Sequence, residues 1–281
     1  MKKIAPDIYV STEYAGVNVG FVAVPGGAIA VDAPTLPRDA RAWRKKVTKT
    51  AGGPILYVVL TDGHPDRVMS ARLMEAPLVG ARETYERVSS YTDGYWRGVV
   101  EGWARQFPKQ ADDLGAMVPG LPEIMFSQRL TLHKGGADIT VERVAGAAPG
   151  SAWLHLEDVG VLFAGDTVVV DEHPFLDLVP DSAAWLATLK MLRRDRYAGI
   201  TIVPGRGPVT NGAATRPLSD YLALVRRRAR SLQAAKRARE DRAAMVSELL
   251  DVFTIPSGAN DVTQRRIRAG LDRVCEEMKP S

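Results

Sequence analysis

Ile55-Leu56-Tyr57-Val58-Val59-Leu60-Thr61-Asp62-Gly63-His64-Pro65-Asp66-Arg67 is the stretch from which the fold is read. Its first six residues are a continuous apolar run of strand length, the pattern of a strand covered on both faces. The rest crowds Asp62, His64, Asp66 and Arg67 at the strand's C-terminal edge. In α/β folds that edge is where sites are built.

Upstream, Val17–Val24 has strand composition, and Pro25-Gly26-Gly27 turns the chain into a second strand, Ala28–Asp32. Pro37–Lys49 reads as a helix, with Trp43 and Val47 on one face. Downstream, about 82–121 reads as a helical insertion carrying Tyr85, Tyr91, Tyr95, Trp96, Trp103 and Phe107. Strands resume at Glu123–Phe126, Leu130–His133, Ile139–Val144, Ala152–Leu156 and Val159–Ala164, with a hairpin turn at Lys134-Gly135-Gly136. Helix 182–193 and strand Ile200–Val203 follow. After Pro217, apolar residues at 218, 221, 222, 225, 229 and 232 keep a helical period. A break at Pro256-Ser257-Gly258 precedes a last helix, which Asp261 and Gln264 are expected to cap and which buries Ile267, Leu271, Val274 and Met278.

Composition agrees with a folded chain: 281 residues, 46% hydrophobic and 25% charged. That excludes a disordered tail and leaves material for one large domain or two small ones. No apolar run approaches the ~18–20 residues of a membrane helix, so no membrane partner is expected. The basic start Met1-Lys2-Lys3 has no apolar stretch behind it, and the expected location is cytoplasmic. A lone Cys275 excludes an internal disulfide and reads as a buried small side chain. The net charge is +4, yet Arg226–Arg242 holds eight Lys or Arg against Glu240 and Asp241. No aromatic residue interleaves with those charges to stack a base, so a solvated helix face is the better reading and nucleic acid is disfavoured as a partner.

Four segments end the strands: Thr61–Arg67, Gly146-Ala147-Ala148-Pro149-Gly150-Ser151, Ala164-Gly165-Asp166-Thr167 and Val203-Pro204-Gly205-Arg206-Gly207-Pro208. Their order and spacing resemble the metallo-β-lactamase superfamily, with its T-H-x-H-x-D-H, G-H-T-P-G-S, G-D and P-G-H-G-P motifs. Asp32 also fits the pattern, and the resemblance covers roughly residues 5 to 225. It implies an α/β (α+β) fold, an αββα sandwich of two mixed sheets with helices outside and the site at one edge. Residues 1–225 would form that domain, with the helical insertion near 82–121, and 226–281 a helical C-terminal extension packed on it.

The resemblance also implies two metals held by imidazoles and carboxylates. Here the positions of the first and last histidines of the first motif hold Asp62 and Arg67, and Ala147 and Arg206 replace two more. His64, Asp66 and the bridging Asp166 remain. Arginine offers donors only and stays protonated, so it is no ligand. Asp62, Asp66 and Asp166 buried together would repel one another, and Arg67 and Arg206 supply the counter-charge. The expectation is a salt-bridge network in the space of the lost metals, no cofactor, and at least one guanidinium hydrogen-bonded to Asp66 or Asp166. The alternative is one zinc or other divalent ion on Asp62, His64 and Asp166, with His173 as a replacement ligand.

Plainer roles stand beside these. Asp66 reads equally as the cap of a helix starting near Val68, Asp166 as the holder of a turn after its strand, and His64 as a neutral, satisfied histidine. His133 is expected to be exposed and His155 packed in a strand. Tyr91, Tyr95, Trp96 and Trp103 either form a lid over the pocket, with Tyr95, Trp96 and His173 at its mouth, or pack the insertion onto the body, which is favoured. Three functions compete: a metal-free binding protein or cofactor-independent relative of the hydrolases, a single-metal hydrolase of an ester, thioester or lactone, and a nucleic-acid binder acting through the basic helix. A small-molecule ligand and a homodimer are the partners considered.

Overall fold

A computed structural model describes residues 1–134, 137–235, 239–255 and 257–279. Its first sheet has seven strands in chain order: β1 (Lys2–Ala5), β2 (Ile8–Ser11), β3 (Val19–Val24), β4 (Gly27–Val31), β5 (Ile55–Val59), β6 (Leu78–Ala81) and β7 (Ile124–Phe126). Hairpins make β1 to β4 antiparallel, and crossovers make β4 to β7 parallel. The second sheet contains β8 (Arg129–Lys134), β9 (Ala137–Arg143), β10 (Ala152–Leu156), β11 (Val161–Val169) and β12 (Thr201–Arg206). Its order is β12-β11-β10-β9-β8, with only the β11–β12 pair parallel.

Period-two alternation assigns each strand's faces. Val22, Val24, Ile29, Val31 and Val59 of the first sheet meet Ile139, Val141, Leu154, Phe163 and Val203 of the second in one buried layer. The intervening residues Phe21, Ala28, Ala30 and Val58 point outward onto Trp43 and Val47 of helix α1 (Pro37–Ala51). Gly20 is required by this packing, because a Cβ there would overlap the Phe163 ring. On the far side, Trp153, Leu162 and Ile202 face outward onto the later helices. The result is the expected αββα sandwich.

The helices follow the chain. The short α2 (Pro65–Val68) sits at the end of β5; α3 (Arg82–Ser89), α4 (Asp93–Gln106) and α5 (Ala111–Gly115) make up the insertion. After β11 come α6 (Ser182–Met191), α7 (Arg216–Ala235), α8 (Arg239–Leu250) and α9 (Asn260–Glu277). The stripe Leu218, Tyr221, Leu222, Val225, Ala229 and Leu232 is buried with Ile267, Leu271 and Val274, so α7 and α9 pack together over the second sheet. α7 runs without interruption across residue 225. No helix among the described residues is long and apolar enough to cross a membrane.

Some local expectations are corrected. The last helix starts at Asn260 after Ala259, with no side-chain cap, so Asp261 lies in its first turn and makes no capping box with Gln264. β11 does not stop at Ala164 but continues to Val169, so Asp166 is inside a strand rather than in a turn after it. β1, β2 and β6 escaped the sequence reading: Lys2-Lys3 disguises an edge strand, and Leu78–Ala81 is too short to show a period. The turn at Gly135-Gly136, the break at Pro256 and Lys236-Arg237-Ala238 of the basic stretch lie outside the described residues.

Candidate functional site

Parallel pairing of β4 with β5 brings Asp32 and Thr61 side by side where those strands end. Asp32 sits at φ 55°, a left-handed conformation that Asp tolerates better than most residues. Its carboxylate accepts from the Thr61 backbone N–H at 2.9 Å and from the Thr61 hydroxyl at 2.8 Å. One residue on, Asp62 accepts from the His64 backbone N–H at 2.8 Å, closing a tight turn into α2. That turn aims Arg67 back under the strand ends.

Arg67 is the centre of the cluster and is completely buried (0% exposed). Its Nε donates to Asp62 at 3.1 Å, Nη1 to Asp32 at 2.5 Å and Nη2 to Asp166 at 2.5 Å. Three carboxylates thus surround one guanidinium, each on a different nitrogen. Arg206, at the end of β12, donates from Nε and Nη2 to Asp166 at 3.2 Å, from Nη2 to Asp66 at 3.0 Å, and from Nη1 to the Gly16 carbonyl. Asp66 also accepts from Trp103 Nε1 at 2.9 Å, which ties α4 to the cluster. Gly205 makes room for the crossing, since a Cβ there would overlap both Asp166 Oδ1 and Arg67 Nη2.

Burial shifts these groups in opposite directions. Desolvation alone would raise Asp166, but Arg206, Arg67 and His64 outweigh it and hold its carboxyl well below the usual range. Asp66 is likewise lowered, burial being overcome by His64, Arg206 and Trp103. Arg67 is raised against its own desolvation by Asp166, Asp32 and Asp62. Asp32 goes the other way: burial outweighs Arg67 and Thr61 and lifts it from 3.8 to about 6. The protonated form of Asp32 is therefore favoured by folding. Its stabilising share is complete below about pH 3.8 and is lost as pH rises through about 6. The advantage of the native protein over Asp32→Asn, read by urea unfolding, should accordingly be larger at about pH 5 than at about pH 7. Asp66 and Asp166 titrate in both proteins and largely cancel from that difference; a gap that widens with pH would refute the shift.

The structure brings Asp62, His64, Asp66, Arg67, Asp166 and Arg206 together, and corrects several neighbours. The residue capping α2 is His64, whose Nδ1 accepts from the Asp66 backbone N–H at 3.3 Å, and not Asp66. Ala147 is buried in the apolar layer of the second sheet and gives the cluster no polar atom. His173 does not reach the cluster: it packs against Tyr221 and Phe253, and its Nε2 lies 3.2 Å from the Leu250 carbonyl. Trp96 is not at the mouth either, because it packs beside Leu36, Met69 and Leu114 and donates to the Met117 carbonyl at 2.8 Å. Tyr95 does line the cavity. His133 is exposed, and His155 packs near Tyr197.

A cavity of ≈ 640 Å³ opens over the cluster, with His64, Asp66 and Arg206 in its wall. The insertion closes one side through Tyr95, Trp103 and Phe107. Two further wall residues went unread in the sequence: Phe175, from the segment after β11, and Arg266, from α9. The Phe175 ring lies 4.4 Å from the His64 ring, 4.4 Å from the Arg206 guanidinium and 3.8 Å from that of Arg266. No local pattern marked either residue, since both belong to segments whose periodicity reports only their packed faces. Among the described residues, no group of three or more His, Cys, Asp or Glu side chains is arranged to hold a metal.

Comparison with known proteins is consistent with this architecture. The family model of the metallo-beta-lactamase superfamily matches residues 14–206, more than half of the chain. No curated protein matches it by sequence. Among solved structures, a metallo-beta-lactamase family protein from Thermus thermophilus aligns with a TM-score of 0.69 at 18% identity, covering 98% of this chain and 95% of that one. A beta-lactamase domain protein from Burkholderia ambifaria gives 0.65 at 18%, covering 98% and 85%. The stereoselective inverting sec-alkylsulfatase Pisa1 from Pseudomonas sp. gives 0.71 at 16%, over 98% of this chain and 49% of its own, so this chain spans about half of that protein. At such identities the likeness is one of fold.

Proposed function

The chain belongs to the metallo-β-lactamase superfamily, and we propose that within it this protein is a metal-free binder of small molecules, its former metal site rebuilt as an ion-pair network. The observation that carries this reading is the Arg67 guanidinium held by Asp32, Asp62 and Asp166. A divalent ion needs carboxylate and imidazole lone pairs directed at one point, without a competing cation among them. Here both oxygens of Asp62 and both of Asp166 already accept hydrogen bonds. His64 Nδ1 is occupied by a backbone N–H, and His173 is turned into another part of the molecule. The residues present therefore do not fit a zinc or other divalent ion, and no hydrolytic step is derived through one.

The arrangement keeps what a binding pocket needs. A rigid, fully paired polar floor leaves a cavity within the usual ~300–1,000 Å³ of small-ligand sites, lined by aromatic side chains. The test is elemental analysis of the untreated protein together with thermal unfolding before and after chelation. The expected result is no stoichiometric zinc, iron or manganese and an unchanged Tm in EDTA. About one metal per chain, removed by chelator with loss of an esterase, thioesterase or lactonase activity, would replace this reading by the single-metal hydrolase.

A further inference from the structure

We propose that the cavity takes a small organic carboxylate, its acidic group held by Arg266 and its apolar body lying along Trp103 and Phe107. This rests on the metal-free reading and adds the ligand class to it. Asp66 and Arg206 neutralise each other at the floor, and every nitrogen of the Arg206 guanidinium group has an acceptor. Arg266 is different. It comes from α9, beyond the region matched by the family, and donates one hydrogen bond, from Nη1 to the His173 carbonyl at 3.2 Å. Among the described residues no carboxylate lies within ion-pair distance of it. It is a cation stacked on an aromatic ring, half-buried, with most of its donors facing the cavity unspent.

One more donor belongs to the cavity wall. His64 Nδ1 faces the Asp66 backbone N–H at 3.3 Å and the Asp66 carboxylate at 3.6 Å, which leaves Nε2–H without a protein partner among the described residues. Its ring and the Arg266 guanidinium both lie against Phe175. Of the carboxylates on the wall, Asp66 is paired with Arg206 and Trp103, and Asp177 Oδ1 is buried without a partner. Glu172 is exposed. Desolvation and the nearby Arg206 depress Arg266, against the opposing pull of Asp66, Glu172 and Asp166. A carboxylate satisfies Arg266 in forked geometry and accepts from His64 as well, whereas an amine would serve only Asp177. A half-buried guanidinium on the cavity wall, with one hydrogen bond and no carboxylate at ion-pair distance among the described residues, decides for the anion.

Titration calorimetry on the full chain in EDTA, with phenylacetate and octanoate as probes, tests this. Phenylacetamide, octanamide and phenethylamine are the controls. Each carboxylate should bind at least about tenfold more tightly than its amide, a difference of about 1.4 kcal/mol. Arg266→Gln should abolish that preference, and Arg266→Lys should keep part of it, since the charge stays but the fork is lost. If Arg266→Gln does not fold, the partial loss in Arg266→Lys carries the same readout. Equal binding of acid and amide, tighter binding of the amine, no binding of any probe, or a preference indifferent to residue 266 would each overturn the proposal while leaving the metal-free reading intact. Carboxylate binding that appears only on adding zinc would instead overturn the metal-free reading.

Discussion

Arg67→Ala is expected to cost roughly 3–5 kcal/mol of folding stability, because it leaves buried Asp32 and Asp62 without a cation and Asp166 with Arg206 alone. Arg67 is 0% exposed, and Asp62, Asp32 and Asp166 are 1%, 2% and 2% exposed, so little water can replace the guanidinium. Urea unfolding at neutral pH measures the loss. The gap to the native protein should narrow as pH falls: without Arg67 the Asp32 carboxyl, already raised by burial, loses the cation that lowers it, and its protonation relieves repulsion within the cluster. Arg67→Lys should lie between the two, since one ammonium keeps the charge but cannot present three separately directed nitrogens. A cost below about 1 kcal/mol for Arg67→Ala would mean that water solvates the cluster after all.

The combined variant Asp62→His, Arg67→His, Ala147→His and Arg206→His should bind zinc where the native chain does not. It removes both guanidiniums and returns four imidazoles to the strand ends, beside the retained His64, Asp66 and Asp166. Without metal the variant should be less stable than the native protein, having lost the ion pairs of Arg67 and Arg206. Added zinc should then stabilise it by about 4 kcal/mol at a free concentration a thousandfold above its dissociation constant, and leave the native protein's Tm unmoved. Metal content after desalting, with Tm against zinc concentration, decides it. A folded variant that takes up no zinc would show that the backbone frame at Ala147, packed now in an apolar layer, no longer directs a side chain at the site.

How much of this was legible in the chain differs between fold and site. Alternation in Val19–Val24, Gly27–Val31 and Ala152–Leu156 was readable because period two survives in every local window. The helical stripe from Leu218 to Leu232 was readable for the same reason. Lys2–Ala5 and Leu78–Ala81 were not, since a polar edge strand and a four-residue strand carry too few positions to show a period. The cap of α2 was misread because Asp is the commoner cap, whereas the turn closed by Asp62 places the His64 ring over the Asp66 N–H.

By itself the sequence determined the chemistry available at the strand ends. Two arginines and an alanine stand where imidazoles are expected, and no arrangement turns a guanidinium into a metal ligand. It also determined the sandwich, through the order of its strand-end motifs and its apolar periods. Tertiary structure alone decided who meets whom. Arg67 joins Asp32, Asp62 and Asp166 across separations of 35, 5 and 99 residues, and Trp103 reaches Asp66 across 37. It also turned His173 toward Leu250 and brought Arg266 and Phe175 to the cavity wall. The physical reason is the range of the information. Side-chain chemistry and periodicity belong to neighbouring positions and can be read locally. A buried hydrogen bond depends on a donor and an acceptor carried by different elements, and their meeting is set only when those elements pack.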